Sequence, residues 1–314
     1  MIGLDNMRFI DTDVTCSGSQ KITLCKKIDK EDKDGDFYVL KIQGLLGGHS
    51  ANFIDAERAN SIKLTARILN DLNKDLPLQI AYINGGDKDN AIPVYCETLF
   101  TAKTNINEVK EKITSLFDDL KEEFADSDKD ITVTVEEGNK EKVLSVKDSE
   151  SLLKYLLILP NGLRHKSMVL EGLTTASENL ANIRISDDEI VIRYFIRAAL
   201  FSHLDEMANE IVTICDLFGF ESKLETKSPG WTYVKDSPLR NKLFEIFEKH
   251  TGLKMKERPT HGGLETAFIS YGIPGIDIAC LGADVADYHT VRESLDLKTF
   301  RQAYEILKDL LSQL

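Results

Sequence analysis

Chemistry in this chain would have to come from a few polar side chains set in glycine-rich or turn-like stretches, and five such places stand out. GLLGGHSANF carries His49 after two glycines, at the end of an alternating run. An imidazole there is either a turn residue or a group brought forward by a flexible backbone to handle a proton or an oxyanion. NGGDKDNAIP sets Asn90 just before an apolar strand, as an Asx turn or as a ligand contact. Arg197 closes EIVIRYFIR, where a guanidinium can snorkel to water, cap the next helix or grip a carboxylate with its planar fork. THGGLETAF places His261 and Glu265 four residues apart around two glycines, a combination suited to a ligand pocket. ADYHTVRESLDL places His289 after Asp284 and Asp287 and ahead of a final helix. A neutral imidazole near carboxylates suits zinc, as ligand or behind one, and equally suits a loop near a helix N-cap.

The elements that must position these residues are legible from periodicity. FYVLKIQ alternates with Tyr38, Leu40 and Ile42 on one face, and Ala59, Ile62, Ala66, Leu69 and Leu72 then fall at helical spacing. LPLQIAYI and IPVYCETLFTA read as two strands joined by the NGGDKDNA turn. A second helix carries Val109, Ile113, Leu116, Leu120 and Phe124, and DITVTVEE closes as a strand. Strand, helix, strand, strand, helix, strand is the ferredoxin-like order. It recurs more loosely in SLLKYLLIL, MVLEGLTTA, EIVIRYFI, SHLDEMANEIVTICDLFG and FESKLET. KSPGWTYVKDSP breaks the pattern, and the tail beyond it alternates helix and strand like part of an α/β layer, ending in a helix striped by Leu297, Phe300, Tyr304, Leu307 and Leu311. Residues 1–20 and 226–314 are therefore expected to form pieces of one α/β domain, with 21–225 inserted as one or two ferredoxin-like units.

Composition bounds the partners. The 314 residues are 42% hydrophobic, enough for a large core, and the formal charge of −13 repels phosphate backbones. No apolar run is long enough for a membrane span and no secretory leader is readable, so a cytoplasmic setting is expected, without nucleic acid or membrane as partner. Five scattered cysteines without CxxC spacing point to reduced thiols rather than disulfides or a cysteine zinc knuckle.

Taken in order, GLLGGHSANFIDAERANSIKL, NGGDKDNAIP, IRAAL, SPGW with DSPL, THGGLET and YHTVRESLDL resemble the aminoacyl-histidine dipeptidase branch of the di-zinc aminoacylase and carboxypeptidase-G type metallopeptidases. The resemblance runs over nearly the whole chain. It implies a partial zinc-peptidase α/β domain with an inserted ferredoxin-like lid, hydrolysis of Xaa-His or similar dipeptides by metal-activated water, two zinc ions and a homodimer formed through the lid. It implies that His49 stabilises the tetrahedral oxyanion, in this family typically in the partner subunit's site, and that Asn90 lies near that oxygen or the substrate. Arg197 would pair with the dipeptide's terminal carboxylate, His261 and Glu265 would line the pocket, and Asp5 and His289 would ligate metal. The family's other ligands and its catalytic glutamate lie upstream of the position matching Asp5. The substitutes His203 with Asp205, and Glu136 with Glu137, read as a solvated helix face and a turn. A truncated chain, inactive by itself, is the expectation; the alternative is a non-catalytic peptide-binding or dimerisation module.

Overall fold

A computed structural model describes residues 1–288 and 290–314. The chain opens with two short strands, β1 (Ile2–Asn6) and β2 (Asp11–Thr15), and then leaves on β3 (Gly18–Lys27). GSQKITLCKK alternates between the two faces of the sheet, burying Ile22 and Leu24 on one of them, and was not picked out by the periodicities above.

The first inserted unit follows the expected order: β4 (Phe37–Gln43), the two-residue β5 (Gly48–His49), α1 (Ser61–Asp75), β6 (Leu78–Gly85), the two-residue β7 (Ala91–Ile92), β8 (Cys96–Ala102), α2 (Ile106–Glu123) and β9 (Thr132–Gly138). The second unit adds α3 (Val146–Ile158), β10 (Gly162–Lys166), β11 (Thr174–Ile185), β12 (Glu189–Ala198), α4 (Phe201–Leu217) and β13 (Glu221–Leu224). Its first strand is β3, so the first unit sits between the opening strand and the first helix of the second. Both units have the antiparallel neighbour order expected of a ferredoxin-like sheet, and β11 pairs with β6 to fuse them into one sheet ordered β13-β3-β12-β11-β6-β8-β4-β9. All four helices bury their apolar sides in one cluster on one face of that sheet, with Leu40, Ile80, Phe100, Ile192 and Ile196 among its strand residues. MVLEGLTTA, read above as a strand, is mostly an exposed turn in which Met168 is 97% exposed, and β11 begins only at Thr174.

The chain returns through α5 (Pro238–Thr251), β14 (Lys256–Pro259), α6 (Thr266–Gly272), β15 (Ala279–Gly282) and α7 (Leu297–Leu311). β1 pairs with β15 and β2 with β14, both in parallel, as an α/β layer requires. The buried face of α7 is Ala303, Ile306 and Leu310, packed with Leu243, Phe247 and Leu281. The stripe read from the sequence lies on its other side, where Leu297, Phe300, Tyr304 and Leu311 are exposed. The helix is apolar on two sides, and period alone does not say which one packs.

The exit and return of the insertion run side by side. Cys16 and Trp231 exchange two backbone hydrogen bonds of 2.9 Å, and Ser19 and Ser228 continue the pairing. A Cβ on Gly18 would lie 2.3 Å from the Ser228 carbonyl oxygen, and one on Gly230 would lie 2.5 Å from that of Ala199. The SPGW motif is thus a close crossing of two segments of the chain.

RANSIKL is likewise a brace. Asn60 accepts from the Ile62 and Lys63 N–H groups to cap α1, while its amide donates to the Leu180 carbonyl and to Asn161. Lys63 Nζ donates to the carbonyls of Leu156, Leu157 and Leu159 where α3 ends, and burial pushes its pKa down to about 8. Asn60→Ala removes the cap and both amide bonds, so it should cost about 2 kcal/mol in urea denaturation. A loss below about 0.5 kcal/mol, the noise of a neutral surface change, would contradict this bracing role.

Candidate active site

His49 sits on β5, whose partner is β7: Gly48 pairs with Ile92 and His49 with Ala91, and the Ser50 N–H donates to the Asn90 carbonyl at 2.9 Å. The GGHS and NAIP motifs are therefore one structure, with exposed Asn90 beside the histidine-bearing turn. Gly47 (φ 54°) and Gly48 (φ 116°) occupy backbone regions that side chains disfavour, and a Cβ on Gly47 would strike Val94. Asp128, wholly buried, holds the base of the turn by accepting from the Leu46 and Ala59 N–H groups at 2.7 and 2.8 Å. The Ala51 N–H donates to His49 Nδ1 at 3.2 Å, which assigns the proton of the neutral ring to Nε2 and leaves that atom as an outward donor. Partial burial and the Arg197 charge hold its pKa below the ordinary histidine value.

Arg197 stands near the end of β12, paired in register with Ser177 of β11 and Ser19 of β3. Ile196 and Ala198 point into the helix-side core, so Arg197 lies on the opposite face. Its guanidinium lies over the Phe195 ring, 4.4 Å from the centroid, and the residue is 6% exposed. Among the described residues it forms no ion pair and its buried Nε has no hydrogen-bond partner; burial lowers its pKa to about 10. A buried cation left this way is costly unless an anion completes it.

His261 is sewn between the two parts of the molecule. Its Nδ1 lies 2.6 Å from Ser17 Oγ and its Nε2 lies 2.7 Å from Ser177 Oγ, so a neutral ring donates to one hydroxyl and accepts from the other. Burial, and next the charge of Arg197, push its pKa down to about 3. Four residues on, Glu265 lines a small cavity with Asp5, Asp13 and Cys280. Asp13 is saturated by Arg258, with nitrogen to oxygen distances of 2.8 and 2.9 Å, whereas the carboxylates of Asp5 and Glu265 have no hydrogen bond or ion pair among the described residues. Burial first, and then the charges of Asp13 and Glu265, push the Cys280 thiol up to about 12, so it stays protonated at neutral pH.

The structure thus places His49 and His261 each within electrostatic reach of Arg197, and Asp5 with Glu265 in one small cavity. His289 lies outside the described residues. Periodicity and motif reading passed over Ser17 and Ser177, which hold His261, and Asn179, whose amide donates to the Asp89 and Ala91 carbonyls at 3.1 and 2.8 Å and fixes the Asn90 turn. The available signal was polar residues inside a strand, where each needs a partner.

A model of the M20 peptidase dimerisation domain matches residues 40–129. The cytosol non-specific dipeptidase of Escherichia coli (strain K12) is 24% identical over 303 residues, covering 95% of this chain and 62% of that protein. The crystal structure of aminoacylhistidine dipeptidase from Vibrio alginolyticus shares the fold with a TM-score of 0.94 at 23% identity, covering 100% of this chain and 65% of that one. This chain therefore spans a little under two thirds of the length of these two relatives. The shared architecture is an α/β layer with a large inserted domain, and the match to the dimerisation-domain model falls within that insertion.

The depressed pKa of His261 has a definite sign. The unfolded ring titrates near 6.5 and the folded one near about 3, so between these values the unfolded chain binds the extra proton and stability falls as pH falls. Glu178, raised by burial from 4.5 to about 7, acts in the opposite direction over an overlapping range, so a variant comparison is needed. The stability of the wild type minus that of His261→Gln should rise by ~2 kcal/mol from about pH 5 to 6.5 and level off above about 7. A difference independent of pH would contradict the buried neutral imidazole.

Proposed function

We propose that this chain carries the lid and the substrate-facing half of a metal-dependent dipeptidase that hydrolyses Xaa-His or similar dipeptides and pairs as a homodimer through the lid. The observation that carries the reading is Arg197, a buried guanidinium lacking an anionic partner among the described residues, on the sheet face away from the helices. A dipeptide's terminal carboxylate matches its fork and supplies the missing charge. His49 Nε2, fixed as a donor, suits an oxygen that becomes negative as the peptide carbonyl turns tetrahedral. Asn90 adds a second polar group beside it.

On the other side of the 261–265 turn, Glu265 has a free carboxylate suited to the peptide's ammonium group. Asp5 has another, in a cavity whose oxygen-rich lining fits a divalent cation such as zinc. Asp5 and His289 are the residues proposed to hold metal; a bound dication would polarise the peptide carbonyl and acidify the attacking water. His261, engaged by hydroxyls at both nitrogens, holds the pocket wall and keeps its positive charge away from Arg197. A cytosolic setting belongs to the same proposal, supported by the cytosol dipeptidase relative.

The test is turnover of Xaa-His dipeptides with Zn2+, using the 314-residue chain and the product of any coding sequence in frame with it. In the active form, His49→Ala should cut kcat by roughly a hundredfold or more while leaving the thermal midpoint nearly unchanged. Absence of dipeptide hydrolysis from every form would overturn the reading, and equal loss of activity and stability would make His49 a structural residue.

A further inference from the structure

His203 and Glu206 lie one turn apart on α4, so their side chains leave the same face of the helix. That face meets β10, where His165 stacks on His203 with ring centroids 4.5 Å apart and planes 16° from parallel. His165 Nε2 is 3.9 Å from Glu206 Oε2, and one ligand atom from each of the three residues falls within 4.8 Å of the others. Two imidazoles and a carboxylate in mutual reach are the donor set that borderline dications prefer.

The surroundings add to this. On the neighbouring strand β11, Glu178 is wholly buried and pairs with Arg164, whose Nε is 3.2 Å from Oε1; Arg164 also binds Glu210 at 2.5 Å. Glu206 and Glu210 both act on Arg164 as negative charges, and this acidic surrounding favours a bound cation. The side chains of His165 and Glu206 are 43% and 56% exposed, so both can rotate. Donors on one tetrahedral zinc stand roughly 3.3 Å apart, so the present spacing closes by at most about 1.5 Å on binding. Water would take the fourth position.

We propose that His165, His203 and Glu206 form a binding site for one transition-metal dication of the Zn2+ type, clamping α4 to β10 on the helix face of the sheet. The site shares no residue with the Arg197 and Asp5 groups, and Arg197 lies on the other sheet face.

The experiment is calorimetric titration of the full chain with Zn2+ after chelator treatment, alongside His203→Ala, His165→Ala, Glu206→Gln and Asp5→Asn. Each variant's thermal midpoint is first measured without metal, and His165→Ala on the exposed strand serves if the helix variant does not fold. One Zn2+ event should weaken by at least about tenfold in each histidine variant and less in Glu206→Gln, and should stay within about twofold in Asp5→Asn. Zn2+ should raise the thermal midpoint of the wild type and not of His165→Ala. Saturable binding unchanged in both histidine variants, or no binding at millimolar Zn2+, would overturn the site.

Discussion

A single unneutralised charge organises the polar half of this molecule. Arg197 is held by sheet register between Ser177 and Ser19, is floored by Phe195 and has no anion beside it among the described residues. Taking a guanidinium out of water costs several kcal/mol unless an anion compensates. The nearby imidazoles respond to it: both His49 and His261 are disfavoured as cations, chiefly by burial and next by the arginine. They are left neutral, one as an oriented donor and the other as a bridge between serines, and Arg197 is the cation that the proposed contact with a ligand's carboxylate would use.

The sheet makes that arrangement possible. β11 joins the two ferredoxin-like units and uses both of its faces: Ser177 and Asn179 support His261 and the Asn90 turn, while Glu178 points toward α4. The insertion hangs on two adjacent crossings at Gly18 and Gly230, and the His261 turn reaches over them, since the Ser17 N–H donates to the Gly262 carbonyl at 2.9 Å.

The first unit was readable from the sequence because each element there carries its own period and is bounded by its own turn. The second was harder. β3 is separated from its unit by the whole of the first, so its regular alternation had no neighbour to give it meaning. In β11, Ser177, Glu178, Asn179 and Asn182 place polar residues on both faces and hide the period of two, whereas MVLEG is apolar yet lies in an exposed turn. The residue types of the candidate site were legible as motifs. Their state was not: the tautomer of His49, the two hydroxyls on His261 and the isolation of Arg197 are set by partners distant in sequence. His203, read as a solvated helix position, gains meaning only when β10 brings His165 against it.

The most direct test of the central claim is a binding cycle on Arg197 and the ligand's carboxylate. The affinity of the chain for an Xaa-His dipeptide and for its C-terminal amide would be measured in the wild type and in Arg197→Met. Amidation should weaken wild-type binding by about 2 kcal/mol or more and cost the variant almost nothing, because the carboxylate then has no guanidinium to meet. An equal penalty for amidation in both proteins would contradict the account.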